Sequence, residues 1–191
     1  MKIGVFCSAN QNIQPSYIKA TEEFGRWMGM HNHTLVWGGC ALGLMNSIGV
    51  GFLEGRALLG TSKPVTMGKL IGVVPDIIEE RGKTFQQTDC IIDCKNLSER
   101  KDIIAAQSDI LVALPGGIGT IDEIFTVAAA STIGYSTKKI ILYDIEGFWI
   151  PLFALMDHLE QQGMMRGNYR NKFLRAENIE QITKLIETIK V

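Results

Sequence analysis

No stretch of this chain approaches the roughly 18–20 consecutive apolar residues that a membrane-spanning helix requires. No charged-then-apolar leader precedes the strand-like KIGVFC at the start. The expectation is a cytoplasmic protein with no membrane partner. Charge of either sign is not in excess, 19 Lys and Arg against 20 Asp and Glu, for a formal net charge of −1. That balance gives no general attraction for nucleic acid, so any basic site must be local. Of the four cysteines, at 7, 40, 90 and 94, none forms a CxxC pair. Cys90 and Cys94 share a face of one predicted strand but lie about 13 Å apart along it, too far for a common metal or a disulfide. All four are read as buried structural residues in a reducing compartment. Only three histidines occur. His31 and His33 flank Asn32 at a helix-to-strand turn, with no third ligand nearby, and His158 sits on a closing helix, so no metal site is expected.

What is present is an ordinary globular composition, 46% hydrophobic and 20% charged, over 191 residues. That length suits one well-buried domain, residues 1–191. Strand-like runs alternate with helical ones: strands over Lys2 to Cys7, Thr34 to Trp37, Leu70 to Val74, Thr88 to Cys94, Asp109 to Leu114 and a last one at Lys139 to Tyr143. Helices are predicted from Pro15 to about Met30, Leu44 to about Leu59, Leu97 to Gln107, Ile121 to Thr132, Ile150 to about Gln162 and Ile179 to Ile189. Gly60 to Lys69 reads as a loop. LIGVV, DILVAL and KIILY are apolar on both faces, which calls for an α/β fold: a single Rossmann-like, doubly wound parallel sheet with helices on both sides. Ligands of such sheets sit beyond the carboxyl ends of the strands, where strand order reverses. Three turns lie at such ends: Ser8-Ala9-Asn10, the glycine turn Gly38-Gly39-Cys40-Ala41-Leu42-Gly43, and Pro115-Gly116-Gly117-Ile118-Gly119-Thr120.

The third turn, between an apolar strand and a helix start, is an anion site in outline: glycines admit a ligand close to the backbone, and the first helical N–H groups point at it. It is not a Walker loop, which would place Lys then Ser or Thr after the last glycine. Nor is it a dinucleotide fingerprint, since Asp122 stands where GxGxxG wants its third glycine. Glu123 has two readings. Thr120 and Glu123 match a capping box, which would make the carboxylate a structural cap; alternatively it acts on whatever the turn holds. Arg100 and Lys101 also have two readings. Two cations in a helical first turn oppose the helix dipole unless an anion is near. They either line the same crevice or form a solvated face paired through Glu99 and Asp102.

PGGIGTIDE resembles the PGGxGTxxE motif of the Lonely Guy (LOG) family of cytokinin riboside 5′-monophosphate phosphoribohydrolases. SERK (98–101) resembles that family's Arg-Lys pair, and WGGCALGLM, LIGVVP and GFWIPLFALMDHLEQQG resemble its other landmarks. The resemblance implies hydrolysis of the N-glycosidic bond of a nucleoside 5′-monophosphate to free base and ribose 5-phosphate, with no metal or organic cofactor. By position it makes Arg100 and Glu123 the catalytic pair and Lys101 a supporting contact. Gly116, Gly117, Ile118, Gly119 and Thr120 become the phosphate seat, with Ser8 and Gly39 as further candidates. It also implies a homodimer, with which the two-sided apolar helices Leu44 to Leu59 and Phe125 to Ile133 are compatible. Departures cluster where the base would lie: Cys40 for a glycine, Leu97 for a methionine, and Glu79 or Glu80 in place of a glutamate that would fall near Gly82. AMP is therefore as good a candidate substrate as a cytokinin nucleotide. Two other roles stand beside hydrolysis: non-catalytic binding of a phosphate-bearing nucleotide or molybdenum cofactor, and a lysine decarboxylase label the family has carried. No lysine here has the sequence context of a pyridoxal Schiff base.

Overall fold

The computed structural model describes residues 1–59 and 67–189. Most of the predicted loop from Gly60 to Lys69 lies outside them. Seven parallel strands form one sheet: β1 (Lys2–Phe6), β2 (Thr34–Trp37), β3 (Leu70–Pro75), β4 (Cys90–Cys94), β5 (Ile110–Ala113), β6 (Ile140–Tyr143) and β7 (Phe173–Ala176). Their order is β4-β3-β2-β1-β5-β6-β7. The order reverses between β1 and β5, where Gly4 stands opposite Leu111 and Phe6 opposite Ala113.

The helices are α1 (Pro15–Met30), α2 (Gly43–Ala57), the short α3 (Asp76–Glu80), α4 (Leu97–Gln107), α5 (Ile118–Thr132), α6 (Ile150–Gln161) and α7 (Ile179–Thr188). Successive strand side chains point to opposite faces, and the core divides accordingly. Ile3, Val5, Leu35, Trp37, Ile110 and Val112 pack with Phe24 and Met28 of α1, Ile48 and Phe52 of α2, and Ile182 and Ile186 of α7. Phe6, Val36, Val73, Leu111 and Ala113 pack on the other face with Ile104 of α4, Ile124 and Val127 of α5, and Met156 of α6. This is the doubly wound sheet the apolar strands called for.

Some expectations shift. A seventh strand, β7, follows the one taken as last; it pairs with β6 from Phe173 opposite Ile140 to Ala176 opposite Tyr143. Cys7, Cys40 and Cys94 are buried, but Cys90 is exposed. The reason is that β4 is an edge strand: Cys94, at its carboxyl end, packs in the cluster that holds Ile104, whereas Cys90 at the other end lies outside it. The second apolar side of α2 is not open either. α1 covers it, and the two backbones approach so closely that a Cβ at Gly25 would meet the Ile48 carbonyl oxygen at 2.5 Å and one at Gly51 the Glu22 Cα at 2.8 Å. His31 and His33 pack tilted against Trp27, with ring centroids 4.8 and 4.9 Å away. Burial lowers the pKa of His33 to about 4. His158 is exposed, as is Met164. No helix among the described residues is long and apolar enough to cross a membrane.

Candidate active site

The turns after β1, β2 and β5 close on one crevice. The Ser8 N–H donates to the Pro115 carbonyl at 3.3 Å, and the Ser8 carbonyl accepts from the Leu44 N–H at 2.9 Å. The Ser8 hydroxyl is turned locally, accepting from the Asn10 N–H at 3.0 Å.

α5 opens at Ile118 with Gly117 as its N-cap and no side-chain cap. The first ladder bond of this turn runs from the Ile121 N–H to the Gly117 carbonyl, 3.0 Å. The N–H groups of Ile118, Gly119 and Thr120 precede it and have no carbonyl one turn back to reach. The capping-box reading of Thr120 and Glu123 is thereby corrected. Thr120 lies inside the first turn and Glu123 six residues past the N-cap, beyond reach of any orphan donor. The open amides, with the positive end of the helix dipole behind them, have the chemistry an anion seat requires. Gly117, Ile118 and Gly119 are exposed, whereas Thr120 is buried, its hydroxyl tucked under Gly116. A Cβ at Gly119 would meet nothing within 4 Å. Gly119→Ala should therefore stabilise the helix by about 0.5–1 kcal/mol, while weakening nucleotide binding by crowding the seat. Urea melts and a titration with AMP check both halves.

Glu123 projects from the same helix, one turn past Thr120. It is 7% exposed and makes no hydrogen bond or ion pair with any described residue. Burial pushes its pKa up to about 7; Arg100 and Lys101 pull the other way and Asp122 adds to the rise. Arg100 comes from α4, whose N-cap Asn96 accepts from the Ser98 and Glu99 N–H groups, both at 3.0 Å. The Arg100 side chain is buried, contrary to a solvated charged face. Its Nε donates to the Val73 carbonyl at 3.1 Å and its Nη2 to the Gly38 carbonyl at 2.8 Å, with the Met45 sulfur at 3.7 Å. Nη1 bonds to no described residue. The guanidinium is thus fixed by main chain from two strand ends and keeps one nitrogen for a ligand. Cys7, at the end of β1, lies close enough to feel both charges; burial first, then Glu123, raise its thiol pKa, and Arg100 opposes them. A carboxyl and a guanidinium from different helices therefore both lie near Cys7, at the end of β1.

The family model described as "Possible lysine decarboxylase" matches residues 60–186. A protein of Oryza sativa subsp. japonica named as a probable cytokinin riboside 5′-monophosphate phosphoribohydrolase is 31% identical over 191 residues, covering 97% of this chain and 76% of its own. The chain belongs to the LOG family. A cytokinin riboside 5′-monophosphate phosphoribohydrolase of Arabidopsis thaliana is 27% identical over 186 residues, covering 97% of this LOG-family chain and 81% of its own. Two solved structures share the fold. The molybdenum cofactor binding protein of Rippkaea orientalis has a TM-score of 0.70 at 19% identity, covering 98% of this chain and 95% of its own. The molybdenum cofactor carrier protein of Chlamydomonas reinhardtii has a TM-score of 0.70 at 22% identity, covering 97% and 96%.

Within this LOG-family site the remaining candidates take different places. The Lys101 Nζ reaches Asp122 Oδ2 at 2.7 Å and the Thr126 hydroxyl at 3.1 Å, tying α4 to α5 one residue before Glu123. Gly39 adopts a left-handed φ of 62° and packs on Val74 and Gly72 of β3, its carbonyl accepting from the Phe85 N–H at 2.8 Å. The glycine that serves the site is its neighbour. A Cβ on Gly38 would fall on the Arg100 guanidinium. Sequence reading missed Gly38, Met45 and the Val73 carbonyl, and the double glycine after β2 was the one signal that pointed there.

Proposed function

We propose that this chain hydrolyses the N-glycosidic bond of a nucleoside 5′-monophosphate, AMP or a cytokinin riboside monophosphate, to free base and ribose 5-phosphate. The carrying observation is Glu123: a buried carboxyl with no partner among the described residues, beside a guanidinium held by backbone carbonyls, on the helix that bears the anion seat. The family membership and the names of the relatives support the same reaction. With the phosphate on the amides of Ile118 to Thr120, the ribose lies toward Glu123 and Arg100. As the bond from C1′ to the base nitrogen breaks, positive charge grows on the sugar ring. The Glu123 carboxylate stabilises that charge, and phosphate binding holds the reacting carbon against it. Water adds its oxygen to C1′, and its proton leaves with the base. Arg100 stays charged and acts by holding the phosphate or ribose oxygens rather than by proton transfer. Lys101, the lysine beside Glu123, has its amine engaged by Asp122 and Thr126 and offers none to a pyridoxal-type cofactor.

A panel of nucleoside 5′-monophosphates scored for released base tests this. Adenine and ribose 5-phosphate from AMP are expected; a nucleotide that binds without release would make the chain a carrier. The proposed partners are the nucleotide and a second copy of the chain. Exposed Ile121, Ile133 and Tyr135, on and just after α5, support the pairing, and sedimentation velocity reads it. The proposed setting is the cytoplasm.

A further inference from the structure

A cavity of about 320 Å³ opens beside the anion seat, lined by Ser8, Asn10, Asn12, Gln14, Tyr17 and Phe148 together with the rim formed by Pro115, Gly116 and Gly117. Neither Arg100, Glu123 nor Cys7 borders it. Its position follows from the strand order. Arg100 is anchored on the carbonyls of Val73 in β3 and Gly38 after β2. The cavity wall instead includes Phe148, which follows β6. The cavity straddles the β1–β5 reversal, with Ser8, Tyr17 and Leu44 on the β1–β2 side and Phe148 on the β6 side, and it shares no lining residue with the Arg100 clamp. A crevice at such a switch point has room for a two-part ligand.

The lining states what the second part is. No charged residue borders the cavity, so it offers nothing to a further free phosphate. Tyr17 and Phe148 pack edge to face, centroids 5.8 Å apart, and present aromatic surface. The amide side chains of Asn12 and Gln14 make no hydrogen bond among the described residues and carry both donors and acceptors. Aromatic surface with free amides at its edge matches a neutral, planar heterocycle carried on a sugar.

We infer that this cavity binds a second nucleoside, joined through the phosphate of the nucleotide held at Gly117 to Thr120, so that the ligand class includes dinucleoside diphosphates. The inference rests on the proposed placement of that phosphate. The base to be released stays on the Arg100 side, and the second base stacks against Tyr17 and Phe148. One base on an aromatic platform contributes about 5- to 150-fold in affinity.

The test is calorimetric titration of the full chain with AMP and with diadenosine 5′,5′-diphosphate, the readout being the ratio of the two dissociation constants. The wild type should bind the dinucleotide at least about 10-fold more tightly, and Phe148→Ala should bring the ratio close to one. Asn12→Ala, at an exposed rim position, should lower it about 3-fold and keeps the test decisive where Phe148→Ala fails to fold. Equal affinities in the wild type would overturn the inference. So would variants that weaken both ligands alike, since the cavity would then hold the base of AMP itself. Base release from AMP, measured separately, reports on the hydrolytic reading whichever way the ratio falls.

Discussion

Glu123→Gln is expected to cut base release by orders of magnitude and, above pH 7, to make the protein more stable. Both effects come from burying a carboxyl without a partner. Burial moves its pKa from the ordinary 4.5 to about 7, so the folded state favours the protonated form. Below pH 4.5 folded and unfolded chains are both protonated, and the full stability is present. Between 4.5 and 7 the unfolded chain releases its proton while the folded one keeps it, and stability falls as pH rises. Above pH 7 the loss is complete, about 3 kcal/mol for a shift of this size. Glutamine has the shape without the charge and escapes that loss. Urea unfolding at pH 5 and pH 8 should show the variant gaining on the wild type as pH rises; the difference isolates Glu123, because His33, whose lowered pKa favours the folded state at the higher pH, acts alike in both proteins. Activity should fall by roughly 10²–10⁴-fold, the usual range for a positioned catalytic carboxylate. In the wild type kcat/KM should rise through a pH near 7, because the ionised form does the work. A variant with equal pH dependence and near-normal activity would remove Glu123 from the chemistry.

Gly38→Ala is expected to act almost as strongly without touching a reacting group. The added methyl would occupy the position of the Arg100 guanidinium. Arg100 must then leave the Gly38 carbonyl, and with it the Val73 carbonyl at 3.1 Å. Displacing a positioned group by about 1 Å can cost 100-fold in rate, and kcat/KM for base release should drop by about that much or more. A buried cation stripped of its hydrogen bonds should also cost about 1–3 kcal/mol of stability. Arg100→Lys distinguishes the routes. If the guanidinium geometry matters, lysine at position 100 should not restore the rate, even in the presence of Gly38. An alanine at position 38 with unchanged kcat/KM would show that the main-chain clamp on Arg100 has no part in the reaction.

The fold class was readable because the strands LIGVV, DILVAL and KIILY are apolar on both faces, and only a sheet covered on both sides wants that. β7 escaped because Phe173–Ala176 is four residues at the sheet edge with Arg175 among them, a pattern that does not separate from a turn. The turn between β5 and α5 was legible from its glycines, although the helix begins three residues earlier than Thr120 suggested. A capping-box match reads four residues and cannot know that Gly117 already caps the helix. The two cations at 100 and 101 were flagged as unfavourable in a first turn, and the structure sends them to different tasks. Arg100 enters the crevice, while Lys101 pairs with Asp122. Which glycine of the pair after β2 was needed could not be read locally. The requirement comes from an arginine 62 residues away.

The close approach of α1 and α2 reaches beyond packing. Four glycines, at 25, 29, 51 and 55, leave no side chain between the two backbones at their crossing, so the pair behaves as one rigid lever. Its upper end carries both Met45, against Arg100, and Gln14 with Tyr17, at the edge of the neighbouring cavity. A methyl group added at Gly51, remote from any ligand, would pry that lever open and be felt on both sides of the anion seat at once.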